Sequence, residues 1–289
     1  MVTSKKTALA HSVTTVILTI LGALWLVPIL WTIYQSLRPY GEVLKFGSFS
    51  IAKTINFNNY YTALVQSQMW RYFINAVVVA LPAVLLTLFL ASMVAFVVSR
   101  YSFRFNIPLL MLFTAGNLLP AQLVFIPLYR IYLAIPVPHF INENGVLYDT
   151  QLGLILIHVA FQMGFATFVL SNYMKTIPKE ISESALVDGA SVWVHYSRIM
   201  LPLLRPALAS LGVLMTTWIY NDFFWSVALL KTGNKRPITA ALNNLQGEFF
   251  KDYNLLAAGA TMAFIPTLIV FFALRRQFVA GLTLGSTKG

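Results

Sequence analysis

The chain has 289 residues, of which 58% are hydrophobic and only 10% are charged. A soluble domain carries about a quarter charged residues, so this composition excludes an ordinary soluble protein and indicates an integral membrane protein. The net charge of +11 does not favour nucleic acid as a partner. Its Lys and Arg residues sit at the ends of apolar runs, where they meet lipid headgroups and fix topology. The absence of Cys excludes disulfide and thiol chemistry.

Six apolar stretches are long enough to cross a hydrocarbon core of about 30 Å, which needs roughly 20 helical residues. The first follows Lys5 and Lys6, but it is longer than the apolar part of a signal peptide, so we expect it to be retained. The sequence predicts an all-α integral membrane protein, a single transmembrane domain over residues 1–289. Its six transmembrane helices are expected at about 12–37, 72–98, 107–133, 152–173, 203–228 and 255–278.

The positions of arginine residues favour one orientation in the membrane. The short loop 99–106 contains Arg100 and Arg104, and an arginine pair, Arg275 and Arg276, lies near the last predicted span. Because positively charged residues are enriched in cytoplasmic loops, we expect both termini in the cytoplasm. The segment 174–202, between the fourth and fifth spans, is then cytoplasmic as well. The predicted outer segments are 38–71, 134–151 and 229–254.

Polar residues inside the predicted spans are candidates for a substrate pathway, because such residues are costly in lipid unless they are paired or line a cavity. Mixed with aromatic side chains, they suit an uncharged oligosaccharide. Hydrogen bonding between helices explains each of them equally well. For His158 we favour helix–helix hydrogen bonding over substrate contact. The candidate pathway residues are Asn117, Gln122, Gln162, Trp218, Asn221 and Asp222.

No catalytic, metal or cofactor site is predicted. The tail "GLTLGSTKG" lacks the order of a phosphate-binding loop, because Lys288 follows Thr287. The four histidines show no metal-ligand spacing. A membrane enzyme would need a clustered nucleophile, base or metal set. An ion-coupled secondary transporter, the other alternative, would normally carry carboxylates near the middle of the membrane, and only Asp222 lies within a span, near its end.

The charged segment 174–202 is predicted to form two short helices joined by a bend. Pro178 suits the first turn of a helix, and Ile181 and Ala185 recur at helical spacing after it. Gly189 supplies a permissive turn. In the second helix we expect one face to carry Val192, Tyr196 and Ile199, and we expect breaks at Pro202 and Pro206.

The same segment resembles a known family signature. Glu183-Ser184-Ala185, Gly189 and Ile199-x-Leu201-Pro202 follow the EAA pattern of inner-membrane permeases in binding-protein-dependent ABC importers, with Ser184 in place of the first Ala. The segments "SLRPYGEV", "FINAVVVA" and "RRQFVAGLTLGSTKG" are similar to the carbohydrate uptake type 1 branch, including the maltose-type second permease. The resemblance thus extends over most of the chain.

The resemblance implies a transport subunit of a prokaryotic cell membrane, with ATP hydrolysis on separate partners. The expected partners are a second permease subunit in a heterodimer, a cytoplasmic ABC ATPase dimer, an extracytoplasmic substrate-binding protein, membrane lipid and a di- or oligosaccharide. A polar non-sugar, such as a glycerol phosphate ester, is the alternative substrate. The bent helices would insert into a groove of the ATPase. The implied ATPase-coupling residues are Glu183, Ser184, Ala185, Asp188, Gly189, Ala190, Ile199, Leu201 and Pro202.

Overall fold

The computed structural model describes residues 3–101, 103–116, 120–245 and 252–283. In these parts of the chain the regular structure is helical, and an isolated β-bridge joins Pro136 to Val146. The prediction of an all-α protein is confirmed. The first seven helices are α1 (Thr3–Ser36), α2 (Tyr40–Phe46), α3 (Asn58–Tyr61), α4 (Met69–Arg100), α5 (Asn106–Gly116), α6 (Ala121–Ala134) and α7 (Gln151–Thr176). The others are α8 (Lys179–Val187), α9 (Val192–Val194), α10 (Leu201–Leu203), α11 (Arg205–Tyr220), α12 (Phe224–Leu229), α13 (Ile238–Ala241) and α14 (Tyr253–Thr283).

Four of the described helices are long and apolar enough to cross a membrane. They are His11–Ser36, Met69–Arg100, Gln151–Thr176 and Tyr253–Ala273. Two bent pairs, α5 with α6 and Val192–Leu203 with α11, pass the same test when each pair is taken as one span. The described residues therefore contain four to six candidate spans. The count of six stays a prediction.

The broken spans differ in detail from the sequence-based expectation. The predicted fifth span, 203–228, is not one helix, because α11 ends at Tyr220 and α12 begins at Phe224. Pro206 does lie at the start of a helix, as expected. Pro202 does not break the chain, because it lies inside the continuous helical run Val192–Leu203. The bend of 70° comes at Leu204 instead.

The chain forms two compact units, the first of which comprises residues 1–69 and 242–264. Its organising side chain is Arg38, which is fully buried just after α1. The guanidinium donates hydrogen bonds to the Ser48 carbonyl at 2.8 Å and to Ser50 Oγ at 2.7 Å, and it forms an ion pair with Glu42 at 3.2 Å. The Asn59 amide donates to the Ser36 and Arg38 carbonyls, which satisfies acceptors left open at the end of α1.

Glu42 is the centre of a second set of hydrogen bonds in this unit. Its carboxylate accepts the Lys53 and Thr54 backbone N–H groups, each at 3.0 Å, and the Thr54 hydroxyl at 2.8 Å. The bond from the Lys53 N–H is the main cause that lowers the pKa of the Glu42 carboxyl from 4.5 to about 2. Charge-assisted hydrogen bonds of this kind stabilise the ionised form. Glu42 thus holds residues 53–54 next to α2.

The second unit comprises residues 70–241 and 265–289. A stripe of small side chains on α4, including Ala83, Ala91 and Ala95, is buried in one apolar cluster with Leu154 and Leu170 of α7. Small residues allow membrane helices to approach closely, which favours van der Waals packing where the hydrophobic effect is weak. The start of α7 is fixed by Thr150, whose hydroxyl oxygen accepts the Gly153 N–H at 2.9 Å.

We predict that the Glu42 interactions weaken in acid. Because the folded-state pKa is lowered, the stabilisation is present above pH 4.5 and is lost as the pH falls from 4.5 through about 2. Hydrogen exchange of the Lys53 and Thr54 amides, measured from pH 6 down to pH 2 with correction for intrinsic rates, should show rising opening in that window. Glu42→Gln should show high opening at all of these pH values. Equal protection at pH 6 in both proteins would contradict the role given to the carboxylate.

Candidate functional site

The bend in the segment 174–202 is a helix C-terminal cap with a defined hydrogen-bond pattern. The Ala190 N–H donates to the Ala185 carbonyl at 2.9 Å, and the Gly189 N–H donates to the Leu186 carbonyl at 3.1 Å. These are the two bonds of a Schellman motif, with Gly189 at the left-handed position after the helix. The expected bend at Gly189 is therefore present, and the spacing from Ala185 to Gly189 is that of the cap.

Gly189 is required by its backbone angle and not by crowding. Its φ is +75°, in the region that L side chains resist, and a Cβ placed there would meet no atom within 4 Å. From the sequence alone, a glycine at this position fits either a special backbone angle or a close approach of a neighbouring group. Within this chain the structure supports the first.

The second helix of the segment departs from simple α-helical periodicity. Ser191 begins it, its hydroxyl oxygen accepting the Val194 N–H at 3.3 Å. His195–Met200 then form a π-helical segment, in which His195, Tyr196 and Met200 are buried. The expected face of Val192, Tyr196 and Ile199 is wrong, because Val192 is 54% exposed whereas Tyr196 is buried. A π-helical turn contains an extra residue, which shifts the side chains that follow it.

The resulting surface has an apolar patch beside polar groups. Four residues around the bend are exposed: Glu183, Ser184, Asp188 and Gly189. The side chain of Ala185, which belongs to α8, is buried. The patch consists of Leu186, Val187, Val192 and Trp193, with Val187 87% exposed. The implied coupling residues Ala190, Ile199, Leu201 and Pro202 are partly buried. Neither Val187 nor Trp193 belongs to the sequence signature, although both lie within four residues of Gly189.

A second candidate region is the seam between α7 and the α11–α12 break. His158, which is 5% exposed, places Nε2 at 3.7 Å from Asp222 Oδ2. The rings of Phe161 and Trp225 lie 5.1 Å apart, and those of Phe165 and Trp218 lie 5.3 Å apart. Positions 158, 161, 162 and 165 share one face of a helix, so the partly buried Gln162 belongs to the same seam. That spacing from His158 is the signal that could have identified Phe161 and Phe165.

Asp222 closes the break between α11 and α12. Its carboxylate accepts the backbone N–H groups of Trp225 at 3.3 Å and Ser226 at 2.9 Å, and the Ser226 hydroxyl at 3.0 Å. These are first-turn groups of α12, which have no partner within the helix. Asn221 is exposed, and its amide donates to the Thr217 carbonyl at 2.8 Å. Both side chains thus have structural roles at a break between two helices, whereas the sequence predicted that they lie within one continuous span.

The remaining candidate pathway residues are not brought into this seam by any described contact. Gln122 is exposed on α6, and Asn117 lies outside the described residues. Among the residues that the structure describes, no group of three or more His, Asp or Glu side chains is arranged to hold a metal ion.

A cavity of about 410 Å³ lies beside the loops before α7 and after α12, and it is lined in part by Arg71 and Asn75 of α4 and Gln151 of α7. The two loops are joined by Asp149, whose carboxylate accepts the Thr232 N–H at 2.9 Å and the Lys235 ammonium at 3.3 Å. Burial acts to raise the pKa of the Asp149 carboxyl, but hydrogen bonds from Thr232 and the Lys235 charge hold it below its ordinary value.

A helical protein with several long apolar helices and a charged bent helix pair after one of them has the features of a membrane transport subunit. The chain belongs to the family of binding-protein-dependent transport system inner membrane components, whose family model matches residues 83–283. Members of this family are permease subunits of transporters and not enzymes.

Relatives of known assignment cover most of the chain. The osmoprotective compounds uptake permease protein GgtD of Synechocystis sp. is 32% identical over 272 residues, 92% of this chain and 88% of the relative. The diacetylchitobiose uptake system permease protein NgcG of Streptomyces coelicolor is 29% identical over 265 residues, 91% of this chain and 84% of the relative. A chain in the crystal structure of a bacterial ABC transporter that imports the acidic polysaccharide alginate has the same fold. Its TM-score is 0.76 at 21% identity, covering 92% of this chain and 95% of that chain.

We predict that Asp222 contributes to stability by capping α12. Asp222→Ala leaves first-turn N–H groups without a partner and should cost about 1 kcal/mol, the usual effect of losing a helix cap. Asp222→Asn keeps one acceptor oxygen and should cost less. The measurement is thermal stability in detergent, with Asn221→Ala as the matched control, because Asn221 makes only a local bond. An unchanged midpoint for Asp222→Ala would show that the carboxylate does not hold the break.

Proposed function

We propose that this chain is one permease subunit of an ATP-driven importer and forms half of a heterodimeric translocation pathway for a sugar. An extracytoplasmic binding protein delivers the sugar, and two cytoplasmic ABC ATPase subunits supply the energy. The observation that carries the proposal is the fixed bend of the segment 174–202, with an exposed apolar patch at its tip.

The patch is suited to a protein partner. Leu186, Val187 and Trp193 are more than half exposed, and none of them belongs to the four long apolar helices. Contiguous apolar surface in contact with water marks an interaction site. Glu183 and Asp188 flank the bend and are exposed, so they supply polar contacts at the rim. We assign this surface to a groove on the ATPase.

The cap geometry supports a mechanical role. A Schellman motif fixes the angle between α8 and the following helix, so a force applied at the bend reaches both helices. When ATP brings the two ATPase subunits together, the segments 174–202 of the two permeases would approach each other. That movement would switch the substrate cavity from inward-facing to outward-facing.

The sugar assignment rests on relatives and on the polar and aromatic mixture of the chain. The names of NgcG and of the alginate transporter refer to saccharides, although the alginate structure itself supports only the fold. Gln162, Trp218 and Asn221 remain our candidates for the substrate pathway, together with Gln122, Asp222 and Asn117. Trp218 is 43% exposed, so its ring has a face available to a sugar. The region around the cavity beside Arg71 is the proposed docking region for the binding protein.

We predict that Gly189→Val uncouples the permease from its ATPase. A β-branched side chain at φ +75° is strained, whereas Asn tolerates this region best after Gly, so Gly189→Asn is the matched control. Gly189→Val should insert normally, and its affinity for the ATPase should fall roughly tenfold. Gly189→Asn should stay close to the parent. The measurements are co-purification with the ATPase and ATP hydrolysis stimulated by the binding protein. Normal stimulated hydrolysis by Gly189→Val would refute the coupling role.

We predict that positions 187 and 144 lie on opposite sides of the membrane. The chain has no Cys, so Val187→Cys and Asn144→Cys give single reactive sites, and both positions are exposed. A membrane-impermeant maleimide should label Asn144→Cys in spheroplasts and Val187→Cys only in inverted vesicles. Added ATPase should protect Val187→Cys. Labelling of both sites from the same side would disprove the proposed topology, and labelling of Val187→Cys unaffected by the ATPase would disprove the docking surface.

A further inference from the structure

α8 has little burial of its own. Its nine residues include two that are buried, Ser182 and Ala185. An isolated helix of this length is not stable in water, so contacts with the rest of the protein must hold it in place. Those contacts determine whether a movement of the bend reaches the membrane helices.

The first contact joins α8 to the π-helical segment. His195 Nε2 and Ser182 Oγ form a hydrogen bond of 3.1 Å in a buried position, and His195 is 1% exposed. The imidazole also packs edge-on against the Phe96 ring of α4, with ring centroids 5.0 Å apart. His195 therefore connects α8 with α4.

The second contact joins the π-helical segment directly to α4. Tyr196 Oη and Ser92 Oγ form a buried hydrogen bond of 2.7 Å. The Ser92 hydroxyl already donates its proton to the Phe89 carbonyl at 2.8 Å, so Tyr196 is the donor in this bond. Ser92 and Phe96 are four residues apart and share one face of α4. Because of the π-helical turn, the adjacent residues His195 and Tyr196 are both buried, where they reach Ser182 and Ser92.

A third contact fixes the start of the segment. Arg100, the last residue of α4, donates from Nη2 to the Met174 carbonyl at 2.7 Å and to the Ile177 carbonyl at 3.0 Å. These carbonyls lie at the end of α7, immediately before α8. The last turns of α4 thus hold the segment 174–202 where it leaves α7 and again where it approaches α11.

We propose that Ser182, His195, Tyr196 and Ser92 are positioning residues that make α8 and α4 move as one rigid body during transport. The inference rests on the proposed function for the movement of the segment, but the clamp itself rests on the contacts described above. Each of its hydrogen bonds is buried, so water does not replace it when it is lost. The double variant Ser182→Ala/Tyr196→Phe removes both bonds and leaves the exposed patch unchanged.

The test is a distance measurement by pulsed electron paramagnetic resonance. Spin labels are attached to Glu180→Cys on α8 and Val97→Cys on α4, both exposed and neither in the proposed ATPase contact. In the assembled complex the parent should show one narrow distance distribution, unchanged between the nucleotide-free state and the state trapped with ATP and vanadate. In the double variant each lost bond should raise the population of released α8 roughly fivefold. The distribution should broaden, and the distance should change between the two states.

Matched controls separate the clamp from general destabilisation. Ser197→Ala removes a hydroxyl that donates within its own helix turn, to the Trp193 carbonyl. Tyr101→Phe removes a buried hydroxyl that has no hydrogen-bond partner among the residues that the structure describes. Neither should broaden the distribution. Co-purification of the ATPase should be unchanged in all variants, because none alters the apolar patch.

Three outcomes would overturn the inference. The first is a distance that changes with nucleotide in the parent, and the second is a distribution in the double variant as narrow as in the parent. In the third, the double variant loses the ATPase, which would place these residues in the interface. If the proposed function is wrong, the experiment gives a result that differs from these three. If the parent binds no ATPase, the nucleotide-free distributions still show whether the clamp holds α8 on α4.

Discussion

The structure depends on one constraint, that backbone N–H and C=O groups inside a membrane must find partners within the protein. Helices satisfy this constraint along their length, which is why an apolar chain of this kind is helical. The N–H and C=O groups that still need partners are those where helices end or break. Two of the described helix ends in the second unit are satisfied by polar side chains. Asp222 supplies acceptors to the start of α12, and Arg100 supplies donors to the end of α7.

The same constraint gives a physical meaning to the EAA-like spacing. In a Schellman motif the carbonyl four residues before the left-handed glycine receives a bond from the residue after that glycine. Ala185 and Gly189 occupy those two positions. The side chain of Ala185 is also one of the two on α8 that are buried. The turn therefore accounts for the glycine at 189, and the burial of the side chain accounts for a small residue at 185. Ser184 is exposed, so its hydroxymethyl group in place of the alanine methyl group disturbs no packing.

Much of this architecture could be predicted from the sequence because it depends on local properties. Long apolar runs predict α1, α4, α7 and α14, and the glycine at 189 predicts the bend. The π-helical segment could not be predicted, because it is stabilised by tertiary contacts of His195 and Tyr196 that no periodicity shows. The end of α11 at Tyr220 was missed for a related reason. Nothing in the sequence indicates that the Asp222 carboxylate turns back to bind N–H groups of the next helix and so makes a break stable.

The length of α4 has a consequence for how movement crosses the membrane. With 32 residues, α4 extends about 48 Å, well beyond a hydrocarbon core of about 30 Å. Pro82 lies near its midpoint, and α4 continues through it as one helix. A rod that pivots at its centre is a lever with equal arms. A tilt of about 5° about Pro82 would displace the two ends by roughly 2 Å in opposite directions, so closing one mouth of a pathway would open the other.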